Sequence, residues 1–128
     1  MKILLDTNAY SDWRRSGLWN DTITTADEVL IPAIVLGELR YGFQGAARGG
    51  ENETKLQHFL RHPVVRVVEV GEATSRSYAV LKHYLRQAGT LIPENDVWIA
   101  ALAVENLVPV VTSDAHFDFL PQVPRILE

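Results

Sequence analysis

Two acidic side chains stand where a packed helix ought to be apolar. On a helical wheel begun at Ile34, the residues Ile34, Val35, Leu39 and Phe43 share one arc. Glu38 falls inside that arc, between Ile34 and Val35, while Arg40 points away. A wheel begun at Asp96 sets this carboxylate between Ile99, Ala100 and Ala103, on the side opposite Leu102 and Glu105. An isolated buried charge loses several kcal/mol of hydration, so both acids need partners. Two further acids, Asp6 and Asp114, come just after short apolar runs. Carboxylates gathered in one crevice repel one another unless a cation neutralises them. Hard oxygen donors select Mg²⁺ or Mn²⁺, which commonly bind a few carboxylates together with substrate phosphates. The chemistry open to such a set is phosphodiester cleavage. Each acid also has a purely structural reading. Asp6 and Asp96 could be helix caps, Asp114 a turn residue, and Glu38 half of a pair with Arg40 or Arg76.

The elements that must position these acids follow from periodicity and punctuation. Residues 2–5 read as a buried strand ending at Asp6, and residues 9–15 as a helix. Residues 29–31 form a short strand, and Pro32 opens a second helix running toward Gly42 or Gly45. A glycine-rich loop is expected over 44–52, then a helix over 53–61 stopped by Pro63 and a β-branched strand over 64–70. A helix over 72–87 is closed by Gly89, and Asn95 or Asp96 caps another that runs through Glu105. A last strand covers 108–112. This alternation predicts an α/β fold: a three-layer α/β/α domain around a mostly parallel sheet with right-handed crossovers. In such sheets ligands collect beyond the carboxyl ends of the strands, where Asp6 and Asp114 lie.

Composition bounds the function classes. At 128 residues the chain is expected to form a single domain over 1–128. With 47% hydrophobic and 22% charged residues it is neither disordered nor collagen-like. The absence of cysteine removes disulfide scaffolds, zinc–thiolate sites, iron–sulfur clusters and thiol nucleophiles. The N-terminal apolar run is broken at Asp6, too short for a signal peptide or a span, so a cytoplasmic location without membrane contact is expected. A net charge of -4 argues against a basic nucleic-acid coat but not against an enzyme acting on nucleic acid. No serine-nucleophile elbow and no P-loop occur. His58 and His62 are four apart, but Phe59 stands where a zinc protease carries Glu, and the pair reads as solvent-facing. His116, beside Phe117, is assigned to a turn or cap rather than to a metal.

Four segments in order carry a resemblance over essentially the whole chain. They are Leu4-Leu5-Asp6-Thr7-Asn8, Gly37-Glu38-Leu39 with Gly42 following, Asn95-Asp96-Val97-Trp98-Ile99-Ala100-Ala101, and Thr112-Ser113-Asp114-Ala115-His116-Phe117. In these the sequence resembles the PIN-domain family, specifically the VapC-type toxin ribonucleases of toxin–antitoxin pairs. The resemblance implies a PIN-like fold and a metal-dependent endoribonuclease, the toxin of a type II toxin–antitoxin system. By motif position, Asp6, Asp96 and Asp114 would be catalytic metal ligands and Glu38 a fourth acid, binding Mg²⁺ or Mn²⁺ directly or through water. Asn8 would orient substrate or a ligand, and Thr112 or Ser113 would hydrogen-bond the ligating carboxylates. Asp118 is the alternative to Asp114 if the loop aligns with a shift. Water activated by the metal would attack phosphorus and leave a 5′-phosphate and a 3′-hydroxyl, without a histidine base. The resemblance also implies a cognate antitoxin that blocks the acidic groove and a homodimer.

RNA must be drawn to an acidic protein, and Arg14, Arg15, Arg40, Arg48 and Arg86 are the candidates for a basic rim. Tyr10, Trp13 and Trp19 are candidates for stacking bases, with core packing as the alternative. Two other functions compete. A receiver-like Mg²⁺-binding regulatory module would need a strand-end lysine, whereas Lys55 and Lys82 both fall on expected helices. A catalytically idle PIN-like binding module would not need all four acids.

Overall fold

The computed structural model describes residues 1–127. The central strand β1 (Lys2–Leu5) is parallel to every other strand in a five-stranded sheet. With β2 (Glu28–Pro32), β3 (Val65–Val68), β4 (Val110–Val111) and β5 (Arg125–Ile126), the spatial order is β3-β2-β1-β4-β5. Ile3, Leu4, Leu5, Leu30, Ile31, Val110 and Val111 are buried, as strands covered on both faces require. The chain builds outward from β1 to β2 and β3, then crosses back to lay β4 on the other side of β1. That reversal opens a crevice at the carboxyl ends of β1 and β4, the usual place for a ligand in such sheets.

Among the described residues six helices accompany the sheet: α1 (Thr7–Ser16), α2 (Asn20–Thr24), α3 (Ala33–Phe43), α4 (Gly49–Leu60), α5 (Glu72–Gln87) and α6 (Glu94–Asn106). A 3₁₀ turn spans Ala115–Phe119 between β4 and β5. The α/β class and the parallel sheet agree with the alternation read from sequence. Two short elements, α2 and β5, are not expected from sequence, and the turn expected at His116 is a 3₁₀ turn. None of the three is long enough to show a period, and β5 directly follows Pro124.

Several boundaries differ for identifiable reasons. The expected strand over 64–70 shrinks to Val65–Val68, an edge strand with Arg66 and Val67 exposed. The loop over 44–52 is shorter too, because α4 already begins at Gly49. Helix α6 starts at Glu94, after Pro93 in extended geometry, so neither Asn95 nor Asp96 is its cap. Leu102, expected to face away from the apolar layer, is buried. Helix α6 packs against both α5 and α3, so a single apolar stripe does not describe it. Trp98 of α6 stacks on Tyr78 of α5 with ring centroids 3.9 Å apart, and Thr74 donates to Glu105 across the same pair.

The chain closes tightly between α3 and α4. A Cβ added at Gly49 would lie 2.1 Å from the backbone oxygen of Phe43, a contact that only movement of the main chain can relieve. Gly49→Ala is therefore expected to destabilise the fold by about 1–3 kcal/mol, read as a lower urea midpoint at unchanged slope.

Candidate metal centre

The register of β1 and β4 sets the floor of the site. Leu4 lies beside Val110 and Leu5 beside Val111, so the next residues, Asp6 and Thr112, meet just past the strand ends. Thr112 is fully buried, and its hydroxyl donates to Asp6 Oδ2. The other carboxylate oxygen of Asp6 accepts from the Ala9 amide at 2.8 Å, capping α1. The cap expected for Asp6 is thus present, and it coexists with a place in the cleft. Asp6 is 3% exposed. Burial, opposed by the bonds from Thr112 and Ala9 and reinforced by the charges of Asp114 and Asp96, raises its pKa from 3.8 to about 6.

Asp6, Glu38, Asp96 and Asp114 line one open cleft of about 220 Å³ together with Thr7, Asn8, Pro93 and His116. Glu38 comes from α3 and has neither of the arginine partners considered for it. Arg40 binds Glu53 at 3.0 Å and Arg76 binds Glu72. Glu38 instead accepts from the Thr7 hydroxyl at 2.6 Å. Thr7, the first residue of α1, was not singled out from sequence; its position beside Asp6 was the available signal. Asp96 extends from the first turn of α6, and burial raises its pKa, with the charges of Asp114 and Glu38 adding to the shift and His116 opposing it. Asp114 caps the 3₁₀ turn by accepting from the His116 amide at 2.9 Å, and it also accepts from Asn8 Nδ2 at 3.4 Å.

Two placements differ from expectation. His116 does belong to a turn, but its ring enters the cleft, with Nδ1 2.9 Å from Asp96 Oδ2 and 3.1 Å from Asp114 Oδ1. Among the described residues, Asp96, Asp114 and His116 form the one group of three whose donor atoms fall within 4.8 Å of one another. Ser113 turns out of the cleft and donates to Asp12 Oδ2 at 3.3 Å, so only Thr112 of that pair touches a cleft carboxylate. The alternative acid, Asp118, is exposed and paired with Arg125. Lys55 and Lys82 lie on α4 and α5, and the cleft has no lysine in its lining, which removes the feature a receiver-like module needs.

The same scaffold recurs in known proteins. The family model for the PIN domain matches residues 3–121. The chain belongs to the PIN-domain family. This PIN domain is 30% identical over 114 residues to "Ribonuclease VapC5" of Mycobacterium tuberculosis, covering 89% of this chain and 84% of that protein. It is 31% identical over 96 residues to "Ribonuclease VapC4" of the same organism, covering 75% and 74%. Its fold superimposes with a TM-score of 0.84 on VapBC2 from Rickettsia felis, a structure bound to a promoter DNA fragment. That match covers 99% of this PIN domain and 98% of that chain at 24% identity, a likeness of fold. No helix among its described residues is long and apolar enough to cross a membrane.

The shifted acid makes a prediction about stability. The folded state holds the Asp6 proton more tightly than the unfolded chain does. Its contribution is therefore present below about pH 4 and is lost as pH rises through about 6. The size is up to about 3 kcal/mol, from a shift of about two units at 1.36 kcal/mol each. Asp6→Asn, which cannot ionise, should match the parent at pH 4 and become the more stable protein above pH 6. Urea unfolding at a series of pH values in chelator measures this difference. A difference that stays flat with pH would contradict it.

Proposed function

We propose that this PIN domain is a metal-dependent endoribonuclease, the toxin of a type II toxin–antitoxin pair. The observation that carries the reading is the meeting of Asp6, Glu38, Asp96 and Asp114, from four separate segments, in one cleft at the reversal of strand order. Support also comes from relatives named as ribonucleases over most of their length.

The donor set fits Mg²⁺ or Mn²⁺. The carboxylates are hard oxygen donors, and no arginine or lysine lines the cleft to neutralise them. Burial and like charge together push Asp6 upward, which is the signature of a pocket short of positive charge. Asp96, Asp114 and Asp6 would hold the cation, with Glu38 binding it or a water beside it. When bound, the cation supplies the acidity that activates water and the charge that steadies a phosphate under attack.

The chain's own contribution is preorganisation. Thr112 and the Ala9 amide fix both oxygens of Asp6, Thr7 orients Glu38, and Asn8 reaches Asp114. Each donor is neutral, so it holds a carboxylate in place without cancelling its charge. Water oxygen would bond to phosphorus as the bond to the 3′-oxygen breaks, the water's proton passing to solvent and the 3′-oxygen taking one up, which leaves a 5′-phosphate and a 3′-hydroxyl.

RNA reaches an acidic protein through a second, basic groove. Arg14, Arg15, Arg48 and Lys55, with Leu39 and Phe43, line a groove of about 380 Å³ between α1, α3 and α4. Among the described residues, Arg14 and Arg48 form no ion pair, and the Arg14 guanidinium lies 4.2 Å over the Trp13 ring. Of the other rim candidates, Arg40 is held by Glu53, and Arg86 lies in a separate depression on α5 with Lys82 and Leu91. Base stacking by Tyr10 and Trp19 is excluded by burial, since they are 3% and 5% exposed. Trp13 packs edge-on against Tyr10 and Phe59. An antitoxin partner and a homodimer belong to the same proposal; the antitoxin is supported by a solved relative, 28% identical, described as a member of the VapBC family of toxin–antitoxin systems.

The decisive assay is RNA cleavage by the purified chain with Mg²⁺ or Mn²⁺, with and without chelator. Asp96→Asn should lower turnover by about 100-fold or more while the circular dichroism spectrum and urea midpoint stay close to the parent's. Undiminished cleavage in that variant, or in chelator, would overturn the reading. Reversing Arg14 and Arg48 to Glu should weaken RNA binding and flatten its dependence on salt by about 0.7 in log–log slope per lost phosphate contact.

A further inference from the structure

The proposed reaction leaves one cleft side chain without a task. His116 is needed neither as a base nor to orient substrate, yet its ring faces two of the acids. We propose that His116 Nδ1 is itself a ligand of the divalent cation, forming a mixed nitrogen and oxygen donor set with Asp96 and Asp114. This rests on the reading of the cleft as a cation site.

The spacing is the first argument. Around an octahedral ion with bonds of about 2.1 Å, adjacent donors sit about 3 Å apart. Nδ1 lies 2.9 Å from Asp96 Oδ2 and 3.1 Å from Asp114 Oδ1, so both pairs match neighbouring positions on one coordination sphere. All three donor atoms fall within 4.8 Å of one another, whereas Asp6 and Glu38 stand outside that group. The alternative, a plain hydrogen bond, uses the nitrogen less well. A single Nδ1–H points at one of the two oxygens at a time, while a lone pair directed at an ion seated among the three donors satisfies all of them.

The ring's approach is set by the backbone. Asp114 Oδ1 accepts from the His116 amide, and Phe117, the next residue, is fully buried and anchors the 3₁₀ turn in the core. The side chains of Asp96 and Asp114 are 14% and 19% exposed, and that of His116 is 45% exposed. The ring therefore covers the outer side of the pair while remaining reachable from solvent.

A nitrogen ligand changes which ion the site prefers. Carboxylates and water alone suit Mg²⁺, whereas imidazole favours transition metals, so His116 tilts the site toward Mn²⁺. Pulsed electron paramagnetic resonance of the Mn²⁺-loaded full chain reads the bond directly. The parent should show ¹⁴N modulation from a coordinated imidazole, replaced by the ¹⁵N pattern when histidine is isotopically labelled. His116→Gln should still bind Mn²⁺, about 10-fold more weakly, without the nitrogen signal and with a smaller preference over Mg²⁺ in competition titrations. Bound Mn²⁺ with no histidine coupling in the labelled parent would overturn the assignment and leave the cation site standing. Coupling that survives in folded His116→Gln would likewise overturn it, by pointing to another histidine. Failure of the parent to bind Mn²⁺ at all would remove the cation site, and this ligand with it.

Discussion

Like charges held close together are the constraint around which this PIN domain is built. Asp6, Glu38, Asp96 and Asp114 face one cleft, and the nearby arginines are turned to other acids: Arg40 to Glu53 and Arg125 to Asp118. What holds the cluster is a set of neutral donors, the hydroxyls of Thr7 and Thr112, the amides of Ala9 and His116 and the side chain of Asn8. Neutral donors stabilise the ionised form locally without discharging the cleft. The residual negative field suits a small cation, and it explains why a polyanion would need to be gripped elsewhere, on the arginines of the neighbouring groove.

Topology supplies the rest. Because β4 is laid against β1 only after the chain has travelled out to β3 and back, two strand ends with unrelated sequence histories meet side by side. Asp6 and Thr112 touch because of that pairing, far apart though they are along the chain. The sheet beneath them is buried on both faces, so the cleft rests on packed aliphatic side chains rather than on loops. Helices α3 and α6 then bring Glu38 and Asp96 in over its edge. Ala100, Ala101 and Ala103 of α6 are buried, small side chains that permit close packing there.

Much of this was legible from residues alone, and the failures have physical causes. Long periodic segments such as α5 were read to the residue, because sixteen positions record the helical repeat well. Burial on two faces was harder to see. Leu102 looked outward on a wheel that allows only one partner, and α6 has two. Glu38 and Asp96 were found because a charge among apolar neighbours is conspicuous. Thr7 and His116 were missed because a polar residue at the start of a helix or on a short turn is ordinary, and only distance shows what it faces. The Asp96 cap failed because Pro93 starts the helix earlier than Asn95 suggested.

The order in which the acids occur along the chain has a consequence for how the protein is made. Translation emits Asp6 and Glu38 early, whereas Asp96, Asp114 and the strand that seats Thr112 emerge more than fifty residues later. A ribosome-bound fragment ending before α6 carries half of the carboxylates and lacks the β4 edge against which Asp6 is buried. The cleft does not exist in that fragment. The set of four carboxylates is complete only once the segment carrying Asp114 has joined the sheet beside β1.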